Sequence, residues 1–85
     1  MTDYLAEVRV TPRGGLLDPE GKAVQNALHS LDFVQVEEVR MGRLIRIRLS
    51  ASSPEDALVQ VDEMCRKLLA NPVTEDYEMA LEQTV

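Results

Sequence analysis

The sequence predicts an α+β fold of the ferredoxin-like type, with the order β-α-β-β-α-β. A four-stranded antiparallel sheet would carry both helices on one face. Three observations carry this expectation. Apolar residues alternate with a period of two in four segments. Two segments instead place apolar residues on one helical face. Each of those begins at a capping residue followed by proline, Asp18-Pro19 and Ser53-Pro54.

The first strand is read over Tyr4–Thr11, where Tyr4, Ala6, Val8 and Val10 alternate with Leu5, Glu7 and Arg9. Pro12, Gly14 and Gly15 end it, and Leu16-Leu17 is an apolar pair ahead of the first helix. That helix is read over Pro19–Leu31. Ala23, Val24, Ala27, Leu28 and Leu31 share one face, with Lys22, Gln25, Asn26 and His29 on the other. Val34 and Val36 then alternate, as do Val39 and Met41, out of phase across Glu37-Glu38. A second strand with a bulge fits this pattern, with Gly42 at a hairpin turn.

The third strand alternates Ile45, Ile47 and Leu49 against Leu44, Arg46 and Arg48. In the second helix Ser53 is the cap, and Asp56 stands three residues on, as in a capping box. Ala57, Leu58, Val61, Met64, Cys65, Leu68 and Leu69 form its apolar stripe. Asp62 with Arg66 and Glu63 with Lys67 are spaced for helical ion pairs. Asn71-Pro72 stops the helix. The fourth strand is read over Thr74–Glu82, with an acidic outer face.

All 85 residues, 1–85, form one domain, without internal repeat or linker. Folding a chain this short removes only about 60–65% of its surface from water, so the core is thin and pairing with another chain is expected. Nine Lys and Arg against 15 Asp and Glu give a net charge of -6, the wrong sign for a phosphate backbone. Aromatics are 4% of the chain, too few for a base-stacking platform. Nucleic-acid partners are therefore excluded. Neither a signal peptide nor a membrane span is read, and a cytoplasmic location is the expectation.

Candidate chemistry is sparse. His29 is read as a surface histidine, and Cys65 as a small core residue. One Cys and one His make no ligand spacing, so no metal, cofactor or catalytic residue is assigned to this chain. The turn from Gly14-Gly15 to Gly21 resembles no phosphate loop, and Asp18 already sits at that helix start. Arg40, Arg43, Arg46 and Arg48 cluster in an acidic chain. Arg46 and Arg48 leave the sheet on the face away from the helices, joined there by Arg9, Leu5 and Leu44. A mixed Leu and Arg face suits a protein interface, so Leu5, Arg9, Leu44, Arg46 and Arg48 are the candidate interface residues.

Three segments share a resemblance. They are Leu17-Asp18-Pro19-Glu20-Gly21 with Ala23-Val24-Gln25, then Val39-Arg40-Met41-Gly42-Arg43-Leu44-Ile45, then Met64-Cys65-Arg66-Lys67-Leu68-Leu69-Ala70-Asn71-Pro72-Val73. In this order and spacing the chain resembles the PurS family, the small subunit of phosphoribosylformylglycinamidine synthase. Asp32 departs from a usual glycine, Arg43 from a common lysine and Thr74 from a common isoleucine. Thr11-Pro12-Arg13 replaces a usual lysine-containing strand end.

The resemblance implies a non-catalytic assembly subunit in purine biosynthesis, one step of an ATP- and glutamine-dependent ligase. It would form a dimer or tetramer with itself and join a glutaminase subunit to a large synthetase subunit. ATP, magnesium and glutamine would belong to the complex, and no cofactor to this chain. A second reading is an ACT-like small-molecule-binding regulatory domain, which shares the element order and would use Gly14-Gly15. An acylphosphatase-like enzyme also shares the fold, but the glycine-rich signature around Arg13 is missing.

Overall fold

The computed structural model describes residues 1–14 and 18–83; Gly15 and the Leu16-Leu17 pair lie outside them. Strand β1 spans Thr2–Pro12, helix α1 Pro19–Ser30, strand β2 Arg43–Ala51, helix α2 Pro54–Met64 and strand β3 Glu75–Gln83. The strands form one antiparallel sheet in the order β2-β1-β3. The central position of β1 follows from its alternation: Ala6, Val8 and Val10 are fully buried beneath α2.

Both capping residues act as their sequence suggests. Asp18 Oδ1 accepts from the Gly21 N–H (3.0 Å), and Ser53 Oγ from the Asp56 N–H (3.1 Å). Asp56 closes no capping box on Ser53. Its carboxylate accepts instead from the N–H (3.3 Å) and hydroxyl (3.2 Å) of Ser52. Along α2, Ala57 and Val61 are buried, and Cys65 continues the same stripe. From Cys65 to Leu69 the backbone widens into a π turn, closed by Ala70 N–H donating to the Cys65 carbonyl (3.0 Å). The extra residue rotates the face. Leu68, expected in the stripe, is 83% exposed, while Leu69 packs against the core. The wet-side pairs form as spaced, Arg66–Asp62 at 3.0 Å and Lys67–Glu63 at 3.8 Å.

The expected four-stranded sheet is corrected to three strands among the described residues. Residues 33–42 carry the alternation of a strand but join no sheet. Their backbone is bonded to α1 instead. The Val36 carbonyl sits 2.7 Å from His29 Nε2, the Glu37 carbonyl accepts from Gln25 Nε2 (3.3 Å), and the Met41 N–H donates to Asp18 Oδ2 (2.9 Å). Gly21 makes this approach possible, because a Cβ there would collide with the Val39 carbonyl. Gly42 serves no hairpin; a Cβ on it would strike the Val10 carbonyl, so it is glycine for close passage over β1.

The placement of both helices on the sheet is corrected as well. Only α2 covers it. In α1 the apolar Ala23, Val24 and Ala27 are exposed, Leu28 is half-buried and only Gly21 is buried. The radius of gyration is 16.5 Å, against about 12 Å for a compact chain of this length. The molecule measures 51 × 29 × 14 Å. A twelve-residue helix of about 18 Å set end to end with a nine-residue strand of about 30 Å accounts for the long dimension.

Helix α1 ends in a Schellman motif. Phe33 N–H donates to the Leu28 carbonyl (3.0 Å) and Asp32 N–H to the His29 carbonyl (3.1 Å). Asp32 takes the left-handed position, with φ 74°. An Asp there carries a steric cost that glycine avoids. Asp32→Gly is therefore expected to stabilise the fold by about 1 kcal/mol. Urea unfolding would check it, and a lowered midpoint would contradict it.

Candidate functional site

The register of the sheet builds its outer face row by row. Leu5 stands between Arg48 and Glu82, Glu7 between Arg46 and Ala80, and Arg9 between Leu44 and Glu78. Leu5, Arg9, Leu44, Arg46 and Arg48 thus share the face turned away from α2. Arg9, Arg46 and Arg48 are exposed, as is Leu44 at 54%. Arg46 Nε lies 3.2 Å from Glu7 Oε1, a cross-strand pair worth little in water. The charge is graded: the β2 side carries Arg46 and Arg48, the β3 side Glu78 and Glu82. A shallow hollow lined by Leu5, Glu7, Ala80, Leu81 and Glu82 lies on the acidic side.

Arg40 and Arg43, grouped with them by sequence, do other work. Arg40 Nη2 donates to the carbonyls of Pro12 (2.7 Å) and Arg13 (2.6 Å), fastening residues 33–42 to the end of β1. Arg43 reaches the Leu69 carbonyl (2.7 Å) and both oxygens of Glu75 (3.2 Å each). Glu75 Oε1 also accepts from the Asn71 N–H (2.8 Å). That backbone bond, with Arg43 second, holds the Glu75 carboxyl below the usual range. The arginine joins the end of the π turn to the start of β3.

At the start of α1, Asp18 accepts from two backbone N–H groups, those of Gly21 and Met41, and these hold its carboxyl below the usual carboxylate range. Phosphate at this helix end would meet a carboxylate already bonded to the free N–H. A depressed carboxyl stabilises the fold while ionised, so the contribution is full above the unfolded pKa and is lost as pH falls through the folded value. The junction between α1 and Met41 is expected to loosen below about pH 4. Thermal unfolding across that range would show it, and Asp18→Ala should flatten the acid slope. An unchanged slope in that variant would contradict the assignment.

His29, read as a plain surface side chain, is half-buried and bonded to the Val36 carbonyl. Its partner lies on the returning chain, which helical periodicity alone could not reveal. Cys65 is fully buried, and burial first, then the Asp62 charge, pushes its thiol up. Tyr77 O–H donates to the same Asp62 (2.5 Å). Among the described residues no three His, Cys, Asp or Glu side chains gather as a metal site. No described helix is long and apolar enough to cross a membrane.

The described residues present a graded outer sheet face and an exposed apolar helix face, on a frame more extended than a compact chain of this length. This defines a small α+β interaction module. Comparison with known proteins narrows the class. Residues 5–83 match the family model PurS, described as phosphoribosylformylglycinamidine (FGAM) synthase. The PurS subunit of that enzyme from Bacillus subtilis is 44% identical over 82 residues, covering 96% of each chain. A crystal structure of Methanocaldococcus jannaschii PurS is 41% identical, with a TM-score of 0.85 over 96% of this chain and 99% of that one. A chain in the structure of PurLQS from Thermotoga maritima is 28% identical, with a TM-score of 0.85 over 99% of this chain and 100% of that one. The chain belongs to the PurS family of FGAM synthase.

Proposed function

We propose that this chain is the small assembly subunit of an FGAM synthase complex in purine biosynthesis. It self-associates and joins a glutaminase subunit to an ATP-dependent synthetase subunit. The observation that carries this is the apolar face of α1, with Ala23, Val24, Ala27 and Leu31 exposed on a chain whose 16.5 Å radius exceeds that of a compact fold. Surface of this kind is covered when chains assemble. The relatives support the reading: the M. jannaschii protein is described as one of the subunits of formylglycinamide ribonucleotide amidotransferase in the purine pathway, and a similar chain occurs within PurLQS.

ATP, magnesium and glutamine are then used by the partner subunits, and the outer face with Leu5, Arg9, Leu44, Arg46 and Arg48 contacts them. The complex works in the cytoplasm. The test is reconstitution with both partner subunits. With this chain present the three should co-elute and form amidine from glutamine. Full assembly and full glutamine-dependent synthesis in its absence would overturn the proposal.

A further inference from the structure

We infer that the outer edge of β3 takes an extended strand of a partner subunit, apolar on one side and carrying lysine or arginine on the other. The inference deepens the joining role just proposed and rests on it. Strand β3 pairs with β1 on one side and, among the described residues, with nothing on the other. The ladder with β1 decides which backbone groups face outward. The Arg13 N–H donates to the Thr74 carbonyl (2.9 Å), and bonded pairs alternate along an antiparallel ladder. Asp76, Glu78, Ala80 and Glu82, in step with Thr74, therefore turn their backbone groups to β1. Tyr77, Met79 and Leu81 turn their N–H and carbonyl groups outward. Pro12, which has no N–H, stands opposite Glu75 at a non-bonded position, as this phase requires.

Sheet edges are ordinarily blunted by lysine, proline, a bulge or a covering element. The segment Glu75–Gln83 contains no lysine, proline or glycine. It carries negative charge instead. Asp76, Glu78 and Glu82 are exposed on the side away from α2, beside the hollow lined by Leu5, Glu7, Ala80, Leu81 and Glu82. Tyr77, Met79 and Leu81 are half-buried on the other side, against the core under α2. This charge selects the occupant. A second copy laid antiparallel on the edge would set acid against acid. Centred on Met79, Asp76 would face Glu82; centred on Ala80, Glu78 would face Glu82; centred on Glu78, that carboxylate would face its own counterpart. Strand addition joins main-chain groups, and alternate side chains decide which strand is accepted. The strand that fits sets lysine or arginine beside Asp76, Glu78 and Glu82, and apolar residues beside Tyr77, Met79 and Leu81.

The test uses the complete chain, nitrogen-15-labelled, alone and assembled with unlabelled glutaminase and synthetase subunits. Amides exchange in heavy water, are quenched in an aprotic solvent and are read residue by residue by nuclear magnetic resonance. In the chain alone Tyr77, Met79 and Leu81 should exchange fast, and Asp76, Glu78, Ala80 and Glu82 slowly. Assembly should slow the first three at least about 100-fold and change the others far less. Glu78→Lys with Glu82→Lys should leave the fold intact and weaken partner binding about 10-fold or more, mostly at low salt. Failure of any complex to form would sink the joining role and the edge together. A complex in which the three amides exchange as in the chain alone, or in which every β3 amide slows alike, would overturn the edge inference and leave the joining role standing. Slow exchange of the three in the chain alone would mean that a second copy holds the edge, and would overturn it too. Unchanged affinity in the double variant would overturn the basic character assigned to the partner strand.

Discussion

Replacing Cys65 by aspartate is expected to abolish the folded state, whereas alanine at the same position leaves the fold and its assembly intact. Cys65 has no exposed surface and packs among Ala6, Val8, Val10, Val61 and Ala70, at the centre of the contact between α2 and the sheet. The burial and the Asp62 charge that push its thiol up would act harder on a carboxylate. Among the described residues no cation offsets that push, and Arg66 is paired with Asp62 on the wet side. An unpaired carboxylate there costs several kcal/mol, against a total of about 5 kcal/mol for so small a core. Cys65→Ala removes one sulfur atom and opens only a small void, costing about 1–2 kcal/mol. Circular dichroism melts would separate the two variants. A cooperative Cys65→Asp melt near the wild-type midpoint would refute the core assignment. A folded Cys65→Ala that supports no glutamine-dependent synthesis would show that the thiol itself has a role.

The capped helix starts were legible because a cap is a local device: Asp18 and Ser53 needed only their own next three residues. The face assignments of β1, β2 and β3 followed from strict alternation, which the pleat converts directly into inside and outside. The alternation of Val34, Val36, Val39 and Met41 is that of a strand, but period two says nothing about pairing. Asp18, Gln25 and His29 hold that stretch against α1, through contacts with no sequence signature. Likewise the apolar face of α1 predicts a buried face, yet Ala23, Val24 and Ala27 are exposed, because periodicity does not say what packs against a helix. Leu68 leaves the apolar stripe because a continuous stripe assumes regular helical rotation, and the π turn interrupts it. Arg40 and Arg43 stand close in sequence to Arg46 and Arg48, but proximity in sequence does not set the face. Arg43 and Ile45 share one side of β2, so Arg43 reaches inward to Leu69 and Glu75, while Arg46 and Arg48 go outward.

Reversing the outward pair, Arg46→Glu with Arg48→Glu, is expected to leave the fold intact and to weaken assembly. Both side chains leave β2 on the face opposite α2, so neither supports this chain's core. Among the described residues the ion pair lost is Arg46 with Glu7, which is exposed and screened. The change in stability should stay within about 1 kcal/mol. The surface consequence is larger. Glu7, Glu78 and Glu82 already stand on this face, and the reversal removes its basic side altogether. A partner surface matched to the graded charge would then meet like charges, and affinity should fall about 10- to 100-fold, mostly at low salt. With the active sites in the partner subunits, as proposed above, synthesis from free ammonia should survive better than synthesis from glutamine. The ratio of the two activities in the double variant decides the matter. A fall in that ratio together with weakened co-elution is the expected result. Equal loss of both activities at unchanged affinity would place these arginines near a reacting centre, and no loss of either would leave the face a solvated one.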